Sequence, residues 1–385
     1  MAHSDMDVLV IGCGLTGSVI ARELAERGKR VTIWDRRKHI GGNMYDYVDV
    51  HGVLVHKYGP HIFHTNKKYL LEYMYKYGDW QPYILRCGTE MLGQLTPTPF
   101  NYKTIDQFYT REKAEILKKA IEEEFLGCKT ATVVEVLNAK NNVVREYGKF
   151  LFEHDYKLYT AKQWGISADE VDSSILKRVP LRFSYDEGYF DDMYQVMPKK
   201  SYTAFFVNLL DHENIEVKLE IEARDHIRIS TNENYVEIDG KKSLIPVIYT
   251  GALDELFNAD NGKLPYRSLR FEWQYENIDS KQPYPVTAYP ESDGYTRITE
   301  YKKLPNQDVV GTSYAVEYSI PYEFDSEKEP YYPLLTQSSI QCASVYKRRA
   351  KKVKNLYLCG RLADFCYYDM DQALERALNV SSRIS

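Results

Sequence analysis

The chain has 385 residues, 44% of them hydrophobic and 27% charged, enough to fold as more than one packed lobe of an ordinary globular protein. A formal net charge of −5 without a long basic run argues against general nucleic-acid binding, so an anionic ligand has to be met by a few local arginines. Six scattered cysteines with no C-x-x-C pair argue against a disulfide framework or a zinc site, and no run of 18 apolar residues is present to span a membrane; the expected compartment is cytoplasmic.

Residues 7–11 form an apolar run of Val and Ile that reads as a buried strand, followed by Gly12-Cys13-Gly14-Leu15-Thr16-Gly17. Val19, Ile20, Leu24 and Ala25 then recur at helical spacing up to Gly28, and residues 30–34 form a second strand that ends at Asp35. Residues 66–78 read as a helix capped by Asn66, with Leu70, Tyr73, Met74 and Tyr77 on its apolar side. Residues 104–165 read as helical throughout, with Leu117, Ala120 and Ile121 on one face. Ser201 is placed to cap a further helix, which leads to strands at 215–219 and 244–250. From 266 to 318 the period changes to two, as in Leu269, Phe271, Trp273 and Tyr275, and an antiparallel sheet is expected. A strand at 355–359, a turn at Gly360-Arg361 and a helix over 369–382 close the chain.

The fold class expected is therefore α/β: a Rossmann-like dinucleotide domain with an inserted helical domain and an antiparallel sheet domain. In Gly12-x-Gly14-x-x-Gly17 the first glycine permits the tight turn, the second admits a pyrophosphate and the third lets helix and strand pack closely. The helix N-terminus adds partial positive charge, and Asp35 is placed to accept from ribose hydroxyls. A second glycine pair, Gly41-Gly42, lies just beyond Arg36 and before Asn43, which favours FAD over NAD. The excess of tyrosine, 34 against 14 Phe and 4 Trp, suits amphipathic pockets for sugars and bases.

Six segments occur in order: Gly59-Pro60-His61-Ile62-Phe63-His64-Thr65, Lys162-Gln163-Trp164-Gly165, Ile175-Leu176-Lys177-Arg178, Tyr295-Thr296-Arg297-Ile298-Thr299-Glu300, Tyr331-Tyr332-Pro333 and Tyr368-Asp369-Met370-Asp371. Together they resemble the bacterial UDP-galactopyranose mutases over essentially the full length. The resemblance implies an isomerase that interconverts UDP-galactopyranose and UDP-galactofuranose through a covalent sugar adduct at N5 of reduced FAD, without net redox change. It also implies an external reductant, such as NAD(P)H or a reduced flavin, and a homodimer.

Carried onto this sequence, the resemblance assigns FAD to Gly12, Gly14, Thr16, Gly17, Asp35, Arg36, Gly42, Asn43, His61, Gly360, Arg361, Asp369 and Met370. Arg178 and Arg297 stand at the two diphosphate arginines, where planar forks suit a dianion, and His61 stands beside the flavin. Tyr189, Tyr332 and Tyr367 match phosphate- and sugar-facing tyrosines. Tyr156 and Tyr159 share a helix face and are placed to sandwich uracil, and Trp164 corresponds to the mobile loop over the substrate. Asp369 matches an acid near the site, while capping the last helix explains it equally well. No metal is expected, because His61 and His64 lack a third ligand in spacing.

The chain departs from the family pattern at Ile84-Leu85-Arg86, where an Asn often precedes the Arg, and at Thr287, where a sugar-contacting Asn is common. UDP-N-acetylgalactosamine is therefore an alternative substrate. An amine-oxidase-like flavin oxidoreductase is the rival enzyme class, and a flavin-binding sensor the rival outside enzymes. The expected division assigns 1–78, 195–255 and 345–385 to the FAD domain, and 103–180 to a helical insertion with the uridine site and mobile loop. Residues 79–102, 181–194 and 263–335 make up the sheet domain.

Overall fold

The computed structural model describes residues 6–165, 179–230, 234–324 and 328–384. Among these, the strands Val8–Ile11, Val31–Trp34, Ile215–Lys218, Val247–Tyr249 and Leu356–Leu358 form one parallel sheet. They are the five strands expected for the α/β layer, and their spatial order is third, second, first, fourth, fifth. In such an order ligands bind beyond the carboxyl ends of the first and fourth strands, where the winding reverses. Gly12 and Thr250 stand at those two ends, joined by the Thr250 amide and hydroxyl donating to the Ile11 carbonyl at 3.0 and 2.8 Å.

The helix Leu15–Ala25 buries Val19, Ile20 and Leu24 against the helices Tyr202–Leu210 and Met370–Ser381. Ser201 caps the first of these two, its hydroxyl accepting the Ala204 amide at 2.9 Å. The cap expected at Asn66 is a miss: the helix there runs Lys68–Tyr77, with Lys67 at the cap position and no side-chain cap. Asn66 instead accepts the Met193 amide at 2.8 Å and donates to Asp192 at 2.5 Å, so a tertiary contact takes the side chain that would have closed the helix end.

The helical insertion is not continuous. It divides into Tyr102–Phe108, Arg111–Glu124, Val133–Leu137 and Asn142–Leu151, then a π-turn at Phe152–Tyr156 that runs into Lys157–Trp164. Gly127, at φ +80°, lies in the loop after the second helix, and Thr130–Ala131 then pairs with Leu181–Arg182. Leu117, Ala120 and Ile121 do share a buried face, packing with Val136, Val144 and Leu151 into a core of their own.

A seven-stranded sheet runs in the order Tyr332–Pro333, Tyr266–Glu276, Thr312–Pro321, Arg297–Glu300, Val286–Ala288, Cys87–Met91, Gln94–Thr98. It is antiparallel except where Val286–Ala288 pairs with Cys87–Met91, strands from distant parts of the chain whose direction no hairpin dictates. Several elements go beyond the expectation, among them the short antiparallel pairings of Asp46–Val48 with Leu54–His56 and of Phe63–Thr65 with Tyr194–Pro198. A small meander of Ile227–Ser230, Tyr235–Ile238 and Lys241–Ser243 is too short and polar to stand out. The helix Gln337–Lys352 buries only Ser339, Ala343, Tyr346 and Ala350 along a largely charged sequence. No helix among the described residues is long and apolar enough to cross a membrane, and all six cysteines are free thiols.

Candidate active site

The first cleft opens at the switch point, has a volume of about 240 Å³, and is floored by Gly12, Gly14, Thr16, Gly17, Gly41 and Gly42. Gly12, Gly17 and Gly42 are sterically required. A Cβ on Gly12, whose φ is +105°, would lie 2.0 Å from the Thr250 hydroxyl, and one on Gly17 would lie 1.9 Å from the Gly12 carbonyl oxygen. A Cβ on Gly42 would come within 2.7 Å of the Gly14 Cα, so the two glycine loops meet backbone to backbone. The result is a bare wall of peptide at a helix N-terminus, the surface that a pyrophosphate takes.

Asp35 holds this wall in shape, accepting the Cys13 amide at 2.6 Å and the Arg37 amide at 2.8 Å. Along the cleft, Arg36 and Arg37 both reach Glu329, at 2.7 and 2.9 Å. Burial would raise the Glu329 carboxyl, but the two guanidiniums outweigh it and hold it at about 2. Arg37 also donates to Asn43 and lies 4.4 Å over the Tyr58 ring. Arg37 and Glu329 were not among the site residues singled out from the sequence.

The second cleft, of about 330 Å³, lies between the seven-stranded sheet and the helical insertion. Seven of the 34 tyrosines line it: Tyr58, Tyr156, Tyr159, Tyr189, Tyr331, Tyr332 and Tyr367. The two clefts share Asn43, His61, Tyr331, Arg361, Asp369 and Met370, and so meet at a common wall. Gly360 supports that wall from behind, its Cα facing Thr16 closely enough that a Cβ would sit 3.4 Å from the hydroxyl. Arg361 donates to the Tyr368 carbonyl at 2.5 Å and stacks 4.9 Å from the Tyr367 ring. Asp369 lines the junction and starts the helix Met370–Ser381, its amide donating to the Gln372 side chain at 3.0 Å.

Arg297 projects into the second cleft from its strand. Cross-strand register sets it directly opposite Glu317, and its Nε and Nη2 both reach one Glu317 oxygen at 2.8 Å. Burial lowers the arginine's proton affinity, yet Glu317 more than reverses this and the guanidinium stays charged. His61 turns Nδ1 to the Gly59 carbonyl at 2.8 Å, which fixes the proton on Nδ1 and leaves Nε2 as an acceptor. Burial pushes the ring down to about 4, so His61 is neutral at physiological pH. Its carbonyl accepts from the Tyr202 hydroxyl at 2.8 Å.

Among the remaining tyrosines, Tyr332 accepts a hydrogen bond from Gln163, and Tyr189 meets Phe190 edge to face. Tyr156 and Tyr159 both face the cleft but differ in packing: Tyr156 is buried against Phe100 and its hydroxyl donates to the Val179 carbonyl at 2.8 Å. Trp164 ends the helix Lys157–Trp164, while Arg178 and the loop expected to move over the substrate lie outside the described residues. Thr287 is wholly buried on the far side of its strand, and its neighbours Val286 and Ala288 line the cleft instead. Leu85 lines it as well. His64 is paired with Asp192 at 2.6 Å, and no group of three His, Cys, Asp or Glu among the described residues is placed to hold a metal.

Comparison with known proteins agrees with this layout. The profile of the UDP-galactopyranose mutase family matches residues 155–367, and that of an NAD(P)-binding Rossmann-like domain matches residues 10–77. A dTDP-fucopyranose mutase of Escherichia coli is 36% identical over 376 residues, covering 96% of each chain. A probable UDP-galactopyranose mutase of Klebsiella pneumoniae is 36% identical over 381 residues, covering 98% of this chain and 94% of its own. The crystal structure of a reduced UDP-galactopyranose mutase has the same fold, with a TM-score of 0.74 at 14% identity over 98% of this chain and 93% of that one.

Proposed function

Since the chain belongs to the UDP-galactopyranose mutase family of flavin-dependent isomerases, we propose that it interconverts UDP-galactopyranose and UDP-galactofuranose with reduced FAD and no net redox change. The observation that carries this reading is the common wall of the two clefts. His61, Arg361 and Asp369 line both clefts, so a dinucleotide on the glycine floor and a sugar in the second cleft would meet there.

The chain fits FAD where the glycine loops leave no room for a side chain. Gly12, Gly14, Thr16, Gly17 and Gly42 hold the pyrophosphate on this reading, Asp35 and Arg36 the adenosine half, and Asn43, His61, Gly360, Arg361, Asp369 and Met370 the flavin half. Bound and reduced, the flavin would supply a nucleophile at N5 for reaction at the anomeric carbon of the sugar. The protein's own part is to bind and orient. Arg297 clamps the diphosphate so that UDP remains near while detached from the sugar, and Arg178 is its proposed partner. Tyr189, Tyr332 and Tyr367 donate to phosphate and sugar oxygens, and neutral His61 offers Nε2 as an acceptor at the reacting end. Tyr156 and Tyr159 enclose the nucleoside. An external reductant such as NAD(P)H or a reduced flavin charges the cofactor, and the active unit is a homodimer.

A second reading is supported by one feature of the cleft: Leu85 lines it where the family often has Asn, which favours a sugar with fewer hydroxyls. A dTDP-linked 6-deoxygalactose meets that condition, and the relative named for such a substrate is 36% identical. Chromatography of reduced protein incubated with the furanose forms of UDP-galactose, dTDP-fucose and UDP-N-acetylgalactosamine separates the candidates. Turnover of UDP-galactofuranose fastest is the expected result; equal rates with oxidised and reduced protein refute the flavin's role.

A further inference from the structure

We propose that Asp155 reads the pyrimidine of the nucleotide, its unengaged carboxylate oxygen accepting the N3–H that uracil and thymine carry and cytosine lacks. This rests on the second cleft being the nucleotide-sugar site.

Register in the seven-stranded sheet provides the ruler. Thr89 pairs with Ala288, and Ala288 pairs with Arg297, so the three share one row and one face. Two inter-strand steps separate Thr89 from Arg297, about 10 Å. The row continues from Arg297 to Glu317 and Phe271, and Phe271 packs against Tyr331, at the wall shared with the first cleft. With the diphosphate on Arg297 and the sugar toward that wall, the nucleoside extends the other way, toward Thr89. There the insertion contributes Asp155, Tyr156 and Tyr159 to the lining.

Thr98, Tyr159 and Thr160 line this end as well, but their hydroxyls donate as readily as they accept, and Asp155 is the carboxylate among them. The Tyr156 hydroxyl is committed to the Val179 carbonyl at 2.8 Å. Thr89 donates to Asp155 Oδ1 at 2.7 Å, and no hydrogen bond from the described residues reaches Oδ2. An ionised carboxylate only accepts, so it favours a ring-nitrogen donor and opposes the bare N3 of cytosine. Burial, with Glu291 adding to it, raises the carboxyl to about 6 although Thr89 pulls the other way. A carboxylate held in a cleft with no cation paired to it among the described residues is costly to keep for packing alone. The thymine methyl lies on another edge of the ring, so the same contact serves UDP and dTDP.

The test is calorimetric binding of UDP, dTDP, CDP and 2′-deoxy-UDP to the FAD-loaded protein and to Asp155→Asn. Wild type should bind UDP and dTDP at least about ten-fold more tightly than CDP. Asn offers either a donor or an acceptor, so the variant should bring UDP and CDP within about three-fold of each other. An unchanged ratio, or UDP and CDP weakened equally, overturns the proposal, as does 2′-deoxy-UDP losing as much as CDP, which assigns Asp155 to the ribose. Should the variant fail to fold, N3-methyl-UDP on the wild type decides: affinity equal to that of UDP overturns it. If none of the nucleotides binds the wild type, the reading of the cleft itself has failed, a different result from lost discrimination.

Discussion

Replacing Arg297 by Ala should do two separable things, because the guanidinium faces both the cleft and Glu317. Glu317 is 1% exposed and the Arg297 side chain 25%. Breaking a fully buried ion pair costs about 3–5 kcal/mol; the quarter exposure of Arg297 lets water relieve part of that, leaving about 2–3 kcal/mol of lost stability. Loss of the diphosphate clamp costs a further 2–5 kcal/mol or so in transition-state stabilisation, a fall in kcat/KM of roughly 30- to several-thousand-fold. The double variant Arg297→Ala with Glu317→Gln separates the effects. Removing the stranded carboxylate should restore most of the stability in urea unfolding, while kcat/KM of the reduced enzyme with UDP-galactofuranose stays low. Recovery of both together would show that Arg297 acts only through the fold, and near-normal kcat/KM in the single variant would remove it from the reaction altogether.

Gly17→Ala should abolish FAD binding, since its Cβ would lie 1.9 Å from the Gly12 carbonyl oxygen; a yellow, flavin-loaded variant by absorbance contradicts the cradle. Tyr159→Ala should weaken UDP by about 1–3 kcal/mol if the ring stacks on the base. Tyr156→Phe, which removes the bond to the Val179 carbonyl, should cost about 1 kcal/mol of stability with little effect on UDP affinity; calorimetry and urea titration of the two variants expose the reverse pattern if the roles are misassigned. Burial holds His56 at about 3 and His61 at about 4, whereas unfolded histidines protonate near 6.5. Below that pH the unfolded chain binds more protons, so stability should fall from pH 7 toward 4. His56→Gln should flatten part of this slope in denaturant titrations, and an unchanged slope contradicts the burial.

The α/β layer was legible because its three central strands, buried on both faces, are short runs rich in Val and Ile, and all five expected strands belong to the one sheet. Gly12, Gly14 and Gly17 were legible because their roles depend on neighbours in sequence. Glu317 was not: 20 residues from Arg297, it becomes its partner only through antiparallel register. Asp155 stayed hidden for a similar reason, since a lone carboxylate next to Tyr156 shows its meaning only once Thr89 arrives from another strand. Asn66 shows the converse, a correct local preference overridden when Asp192 and Met193 engage the side chain. Thr287 was singled out by comparison with the family pattern, yet it faces away from the cleft that its neighbours Val286 and Ala288 line.

The proposed chemistry is tested most directly by quenching a turnover mixture of reduced protein and UDP-galactofuranose with a borohydride-type reagent and weighing the released flavin by mass spectrometry. The account predicts a flavin heavier by one hexose, absent when Arg297→Ala replaces the wild type or when the flavin is oxidised. Unmodified flavin throughout, at a time when product is accumulating, would contradict it.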